Sequence, residues 1–403
     1  MNGYRDSPRD QLYAVADRLR RQGPGLRMAP ARRAELLHRA VDTLARDPSL
    51  RPRLAAAAGL SEPMVEWALR TTFEPASRAA MSALAEAPTV ATAGNRAVDL
   101  ALVVLAGNIC TAGVRAVLTP LLFGVPTVVK ASSRDDVLVR ALAESLEPPF
   151  AQALAIFSFP PDDQRMEALV AQADVIHVHG GDDTVRTIRA MAPASSLVIP
   201  HGHGLGVALL FADALGCAER RSVIDRLALD VAAYDGRGCL SPQRIYVVGS
   251  PTRAIELADR LHHALERLEA RLPRGPLPEA VAAQQMQWRG VAAATGVLFQ
   301  GRAHAVAVEE DAPLPGPPGY RNVSLHSVAD EAEFLDAVRP LGPHLKVVGV
   351  AGRPLTEIAV ALDHAPGLVP RVCDIGEMQT PPFDLWPEGL PPWHGLSRRV
   401  ETR

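Results

Sequence analysis

From about Leu100 the chain alternates short apolar runs with helix-like stretches, at a spacing that few folds accept. Leu100–Ala106 is a continuous apolar run closing on Gly107-Asn108, and a helical segment over Ala112–Phe123 follows. The pattern repeats as strand Thr127–Ala131, helix Asp135 to about Glu147, strand Ala155–Phe159 and helix Pro161–Ala171. Strand Asp174–His179, helix Asp182–Met191 and strand Ser196–Pro200 complete the series. Strands that read as unbroken apolar runs are buried on both faces. Alternating with helices, they build a parallel, doubly wound α/β sheet. Ligands of such sheets sit beyond the carboxyl ends of the strands, often against helix N-termini. The loops to watch are therefore Gly107–Thr111, Lys130–Ser133, Phe159–Asp162 and His179–Asp183.

The flanks differ in texture. Residues 1–90 are rich in Arg, Ala and Leu and read as helices over Arg9–Arg21, Pro30–Arg46 and Ser61–Arg70, with Ser61 as N-cap and Pro63 in the first turn. Beyond the first sheet, strand Val207–Phe211 and a helix around Cys217–Tyr234 lead to strand Arg244–Gly249 and a long helix Pro251–Leu272. Pro273–Pro278 reads as a loop, then come helix Glu279–Thr295, extended segments Val306–Glu309 and Val323–Val328, helix Glu331–Val338 and strand Lys346–Val350. From Gln379 a tail rich in Pro and Trp has little periodicity, as if it lies across another surface. Three regions are expected: helical 1–90, a sheet domain 91–213, and a second α/β domain 214–403 that includes the tail.

Composition narrows the class. A formal net charge of −3 with mixed signs argues against nucleic acid or an anionic membrane as the main partner. No apolar run approaches a membrane span, and the charged, polar opening residues do not read as a signal peptide, so a cytoplasmic location is expected. Four cysteines at wide, irregular spacing (Cys110, Cys217, Cys239, Cys373) suggest neither a disulfide framework nor a zinc motif. Only two of the 42 basic residues are lysine, Lys130 and Lys346. In an arginine-biased chain, a retained lysine points to a need for a compact ammonium.

One cysteine stands apart. In Tyr234-Asp235-Gly236-Arg237-Gly238-Cys239-Leu240-Ser241-Pro242-Gln243 a thiol sits on a glycine-flanked turn between a helix and a strand. A thiol on such a turn can meet a carbonyl, and its own N–H can bind the oxyanion that forms. The alternative is a small buried hydrophobe, the usual fate of free cysteine. Asn108 stands where a side-chain amide can donate to an oxyanion or simply make a turn. Lys130 ends a strand just before Ser132-Ser133, where ammonium and hydroxyls can meet a ribose or phosphate. No GxGxxG fingerprint is present, and His201-Gly202-His203-Gly204-Leu205-Gly206 only imitates one, because a strand rather than a helix follows. The pairs His177/His179 and His201/His203 could supply four nitrogens to a metal. They lack a cysteine or carboxylate at recognisable spacing, so no metal is expected there.

Several segments together resemble the LuxC-type acyl-CoA reductases, within the aldehyde dehydrogenase superfamily. They are Val104–Asn108, Gly124–Ser133 (GVPTVVKASS), Asp174–Asp183 (DVIHVHGGDD), Gly238–Gln243 (GCLSPQ), Leu345–Gly352 (LKVVGVAG), Gly376–Pro381 (GEMQTP) and Trp393-His394-Gly395, in order over roughly residues 100–400. The resemblance implies an aldehyde dehydrogenase-like fold, with a nicotinamide dinucleotide domain around 91–213 and the nucleophile in the domain after it. By position, Cys239 is similar to the family's nucleophile and Asn108 to its oxyanion donor. Lys130 and Ser132 match contacts to the adenosine ribose or its phosphate, and Gly180 and Gly181 match the backbone passing the dinucleotide. Relatives that oxidise aldehydes carry a Glu-Leu-Gly-Gly segment near 199–204; here Ile199-Pro200-His201-Gly202 has no carboxylate. This departure favours reduction of a thioester to an aldehyde; with the resemblance go a coenzyme A or acyl-carrier protein thioester as substrate, NADPH (or NADH) as cofactor and a homo-oligomer as expectations. His201 and His203 are the residues that could stand in for the missing glutamate. Aldehyde oxidation with NAD, and a non-catalytic relative that binds a partner, are the alternatives.

Overall fold

The computed structural model describes residues 8–87, 95–310 and 316–399, and it divides into two compact units. The first gathers Met1–Ala58, Leu69–His203 and Pro382–Arg403, the second Gly59–Ala68 and Gly204–Pro381. Residues 1–7, from which the lack of a signal peptide was read, lie outside the described residues.

The first unit opens with helices Pro8–Gln22, Pro30–Ala45 and Leu50–Ala58, the last of which the sequence left unassigned. Six strands follow: β1 (Asn95–Ala97), β2 (Ala101–Val104), β3 (Thr127–Ala131), β4 (Leu154–Ser158), β5 (Val175–His179) and β6 (Leu197–His201). The main sheet runs β4-β3-β2-β5-β6 with every pairing parallel, so the chain reverses its direction of growth at β2. Both β2 and β3 are buried along their whole length, which is why they read as plain apolar runs. On one face Leu12, Ala16 and Leu19 of the first helix pack with Leu102, Val104, Val128, Ile176 and Val178. Each leucine so buried contributes about 1.5–3 kcal/mol relative to exposure. Two helices are shorter than expected. Arg165–Val170 replaces Pro161–Ala171 because Asp163 accepts from the Arg165 N–H at 2.9 Å and takes up the first turn. Val137–Ser145 replaces Asp135–Glu147, ending where Leu146 turns extended ahead of Pro148.

The second unit holds β7 (Leu205–Phe211), β8 (Pro242–Val248), β9 (Val297–Gln300), β10 (Ala305–Val308), β11 (Asn322–Val328), β12 (Leu345–Ala351) and β13 (Arg371–Asp374). They line up as β13-β12-β7-β8-β11-β10-β9, parallel except for β9 on β10. Alternate residues of β7 face opposite layers. Ala208 and Leu210 pack under the helices Cys217–Ala232 and Pro251–Glu269, while Val207, Leu209 and Phe211 meet Glu331–Val338 and Leu355–Asp363. The sequence reading put the domain boundary after residue 213, whereas compactness divides the chain after His203, because β7 is hydrogen-bonded to β8 and β12.

The segment after Pro381 returns to the first unit, where β14 (Ser397–Arg399) pairs antiparallel with β1. Trp393 meets Phe123 edge-on at 6.1 Å, and a Cβ on Gly395 would strike Leu197 Cδ2 at 2.6 Å. The tail is thus a packed part of that unit.

Candidate active site

In the second unit the helix Cys217–Ala232 stops at Ala233, and the chain then runs through three left-handed residues, Tyr234 (φ 51°), Asp235 (φ 56°) and Gly236 (φ 66°). A non-glycine residue held there costs about 1–2 kcal/mol. Three more left-handed residues face them: Gly319 (φ 69°), Tyr320 (φ 49°) and Arg321 (φ 65°). The two runs press together; a Cβ on Gly319 would lie 3.0 Å from the Gly236 carbonyl oxygen, and one on Gly236 3.2 Å from the Arg321 nitrogen.

What holds the strain is a buried ion pair. Arg321, 2% exposed, donates Nη2 (2.7 Å) and Nε (3.1 Å) to Asp235 Oδ1. Its Nη1 donates to Glu269 Oε2 at 2.7 Å and to the Leu272 carbonyl at 2.8 Å, which ends the helix at Glu269 rather than at the expected Leu272. The other Asp235 oxygen accepts the Gly275 N–H at 3.0 Å.

Directly after this braced run comes Cys239. The Ser241 N–H closes a turn on the Gly238 carbonyl at 3.1 Å, and the Gly206 N–H bonds the Ser241 carbonyl at 2.9 Å. Gly206 has to be glycine, since a Cβ there would lie 2.6 Å from the Leu240 carbonyl oxygen. The backbone on both sides of Cys239 is therefore fixed while its side chain is exposed. Cys110 and Cys373 are buried, and burial pushes the Cys373 thiol up to about 12. Cys217, also exposed, opens a helix.

The first unit carries the other expected residues at the carboxyl end of its sheet. Val104 of β2 stands opposite Lys130 of β3, and the Leu105 N–H bonds the Lys130 carbonyl. Asn108 is exposed in the loop after β2. The loop approaches β3 closely because of Gly107, whose Cβ would fall 2.3 Å from Ser132 Oγ. Ser132 Oγ accepts the Arg134 N–H at 3.1 Å. Lys130 is 5% exposed, and its Nζ lies 5.4 Å from the Phe159 ring centroid, with the Arg165 guanidinium 4.6 Å from the same centroid. No carboxylate pairs with Lys130 among the described residues, and burial lowers its pKa. Gly180 and Gly181 follow β5; a Cβ on Gly181, which begins the helix Asp182–Met191, would meet nothing within 4 Å. Asn108, Lys130, Ser132, Gly180 and Gly181 all lie at the carboxyl end of the first sheet, and Cys239 belongs to the other unit.

The histidines form a chain of their own within the first unit. His177 Nδ1 lies 3.3 Å from His201 Nε2, and His201 Nδ1 lies 3.0 Å from Glu388 Oε2 in the tail. The His179 ring stacks on His201 at 4.4 Å, with 17° between planes. Burial, and secondarily His201, drive His177 down to about 3, and burial holds His179 well below its ordinary value. Sequence reasoning did not assign roles to Glu388, Arg321, Asp235 or Gly206. Tyr-Asp-Gly and Gly-Tyr-Arg-Asn do carry turn chemistry, but no spacing links positions 86 apart.

The two sheets and their order define an aldehyde dehydrogenase fold. Aldehyde dehydrogenase 21 from Physcomitrella patens, in complex with succinate, superposes with a TM-score of 0.74 at 18% identity, over 92% of this chain and 83% of that one. An NAD-dependent benzaldehyde dehydrogenase from Corynebacterium glutamicum gives 0.73 at 14% identity, over 93% and 88%. Within that fold the chain belongs to the acyl-CoA reductase (LuxC) family, which it matches over residues 92–383. It is 23% identical over 244 residues to a long-chain acyl-protein thioester reductase of Aliivibrio fischeri, covering 58% of this chain and 50% of the relative. To long-chain acyl-protein thioester reductase 2 of Photobacterium leiognathi it is 26% identical over 179 residues, covering 42% and 36%. The match thus spans between about a third and a half of these relatives' length.

Proposed function

We propose that the chain reduces an acyl thioester to an aldehyde through an acyl-Cys239 intermediate. The observation that carries this reading is the exposed Cys239 on a turn whose backbone is braced on both sides, in a member of the acyl-CoA reductase family. The Cys239 thiolate attacks the thioester carbonyl, the Cys239 N–H takes up the oxyanion, and the donor thiol leaves; the role of second oxyanion donor falls to Asn108 from the family resemblance. A nicotinamide held by the part that carries Lys130 and Gly181 would supply the hydride, and Cys239 would be released as the thiolate when the aldehyde departs. Residues 91–203 serve as the dinucleotide part. Lys130, a buried ammonium lacking a carboxylate partner, suits a ribose or phosphate, and the open backbone at Gly181 suits a diphosphate. Ser132 supports the same subsite, and NADPH is the preferred donor in this reading, with NADH the other.

The direction of reaction rests on His201. Both its ring nitrogens are engaged, by His177 and Glu388, and no carboxylate occurs in Ile199–His203 to activate water on the acyl-enzyme. Thiol exchange needs no such base. The acyl donor is a fatty acyl thioester of coenzyme A or of a carrier protein, as the names of the family and its relatives suggest, handled by a homo-oligomer in the cytoplasm. No helix among the described residues is long and apolar enough to cross a membrane.

The test is intact-mass detection of an acylated protein across acyl-CoA and acyl-carrier thioesters without cofactor, then aldehyde formation on adding NADPH. Acylation should vanish in Cys239→Ala; full activity in that variant would sink the mechanism. Faster NAD reduction with aldehyde than NADPH oxidation with thioester would reverse the direction.

A further inference from the structure

In the sequence, the histidines that invite a metal reading are the pairs His177/His179 and His201/His203. The structure shows a different donor cluster, on the outer side of the helix Pro251–Glu269 in the second unit. The inner side of that helix, through Ala254, Leu257, Ala258, Leu261 and Leu265, is built into the core. The outer side carries His262, His263 and Glu266, whose donor atoms all lie within 4.8 Å of one another. The spacing is helical logic: residue 266 sits one turn above both 262 and 263, so one carboxylate can reach both rings. Glu266 Oε1 lies 3.7 Å from His262 Nε2, and Oε2 lies 3.4 Å from His263 Nδ1. Ligands 2.0–2.1 Å from a tetrahedral ion stand about 3.3 Å from one another, so a donor set held within 4.8 Å closes on an ion through small side-chain rotations.

An independent observation concerns the ring behind the cluster. His304, 2% exposed, sits in the β9–β10 turn, where the Gly301 N–H bonds the His304 carbonyl. Its Nε2 lies 2.9 Å from His262 Nδ1. Gly301 makes room for this ring; a Cβ there would lie 2.3 Å from His304 Cε1. When His304 accepts the His262 Nδ1 proton, the His262 Nε2 lone pair is left facing Glu266. That is the arrangement in which a buried acceptor orients a metal-ligating imidazole. His263 and Glu266 have side chains 57% and 51% exposed, which leaves an entry path and a coordination position for water.

We propose that His262, His263 and Glu266 bind a borderline divalent transition ion such as Zn(II), with His304 as the positioning residue behind His262. Two imidazoles and one carboxylate suit Zn(II), Ni(II) or Cu(II) and not the oxygen-seeking Mg(II) or Ca(II). The bound ion clips one turn of the helix and stabilises the unit by mass action, while the hydrogen bond from His262 to His304 joins that turn of helix to the β9–β10 turn.

The test uses the full-length protein stripped with chelator, in a Cys217→Ser, Cys239→Ser background. Co(II) should give one equivalent of a tetrahedral visible spectrum without a thiolate charge-transfer band. Zn(II) should displace it and raise the melting temperature. His262→Leu and Glu266→Gln should abolish the spectrum. His304→Leu and Gly301→Ala, which leave all three ligands in place, should weaken Zn(II) 10–100-fold in chelator competition. Co(II) spectra or Zn(II) affinity unchanged in His262→Leu would overturn the site. Unchanged affinity in both His304→Leu and Gly301→Ala would overturn the positioning role. Neither outcome depends on the proposed reductase activity.

Discussion

Replacing Arg321 with methionine removes the cation shared by Asp235 and Glu269 while filling much of its volume. The two carboxylates are unequal: Glu269 is 30% exposed and water can reach it, whereas Asp235 is 1% exposed and keeps the Gly275 N–H and the longer-range attraction of the Arg274 guanidinium. Stranding one member of a buried pair costs about 3–5 kcal/mol, and that figure applies to Asp235. Arg321→Lys keeps the charge and loses the fork that grips Asp235, Glu269 and the Leu272 carbonyl together, for a loss of about 1.5–3 kcal/mol. Urea unfolding followed by tryptophan fluorescence is a suitable assay, because Trp67 lies edge-on to Tyr234 at 5.7 Å. The double variant Arg321→Met, Asp235→Leu should recover more than half of the single-variant loss, since no buried charge is left alone. Function should follow the backbone: with the brace gone, Cys239 is positioned less well. Its acylation rate in a Cys217→Ser background should fall about tenfold or more where the protein is still folded. A methionine variant within about 0.5 kcal/mol of the parent, with unchanged acylation, would refute the argument.

Three other outcomes are expected. Gly206→Ala forces a methyl against the Leu240 carbonyl and should lower kcat for aldehyde formation at least tenfold with little change in cofactor KM; equal kcat would show that the turn can shift freely. Lys130→Met should raise the KM for NADPH about tenfold or more while leaving Cys239 acylation without cofactor intact, which stopped acylation assays can separate. His177 has its pKa depressed in the fold, so the stability from keeping it neutral is complete above about 6.5 and is lost as pH falls toward about 3. His177→Leu should therefore make the fall in melting temperature between about pH 6 and 4 shallower, with His179 and His304 carrying the rest, and an unaltered acid limb would assign the loss to those groups.

The strands and helices of the first sheet were legible because each is decided locally. Thr127–Ala131 is buried on every side and reads as an apolar run, and Asp182–Met191 begins after two glycines and ends at Ala192-Pro193. Glu279–Thr295 and Glu331–Val338 also form as their flanking prolines, glycines and N-cap Asp330 suggest. Leu355–Asp363 and Arg371–Asp374 went unassigned, being a short helix and a short edge strand whose identity depends on pairing with β12. The glycines around Cys239 left a reachable thiol and a small buried hydrophobe both open, the fold exposes it, and the brace beneath it could not be read. The partnership of Asp235 with Arg321 exists only after β11 has been laid beside β8. The contact of Glu388 with His201 likewise depends on where the tail folds back.

That return of the tail sets an order of assembly during synthesis. The sheet unit formed mainly by Gly204–Pro381 is nearly contiguous in sequence, so its contacts are available as soon as that stretch has been made. The other unit is split in sequence: β1 gains its partner, and His201 its carboxylate, only when Pro382–Arg399 arrives. Of the two units, the one whose strands are translated earlier is thus completed later, since its sheet edge and its His201 contact wait on a segment made after the other unit.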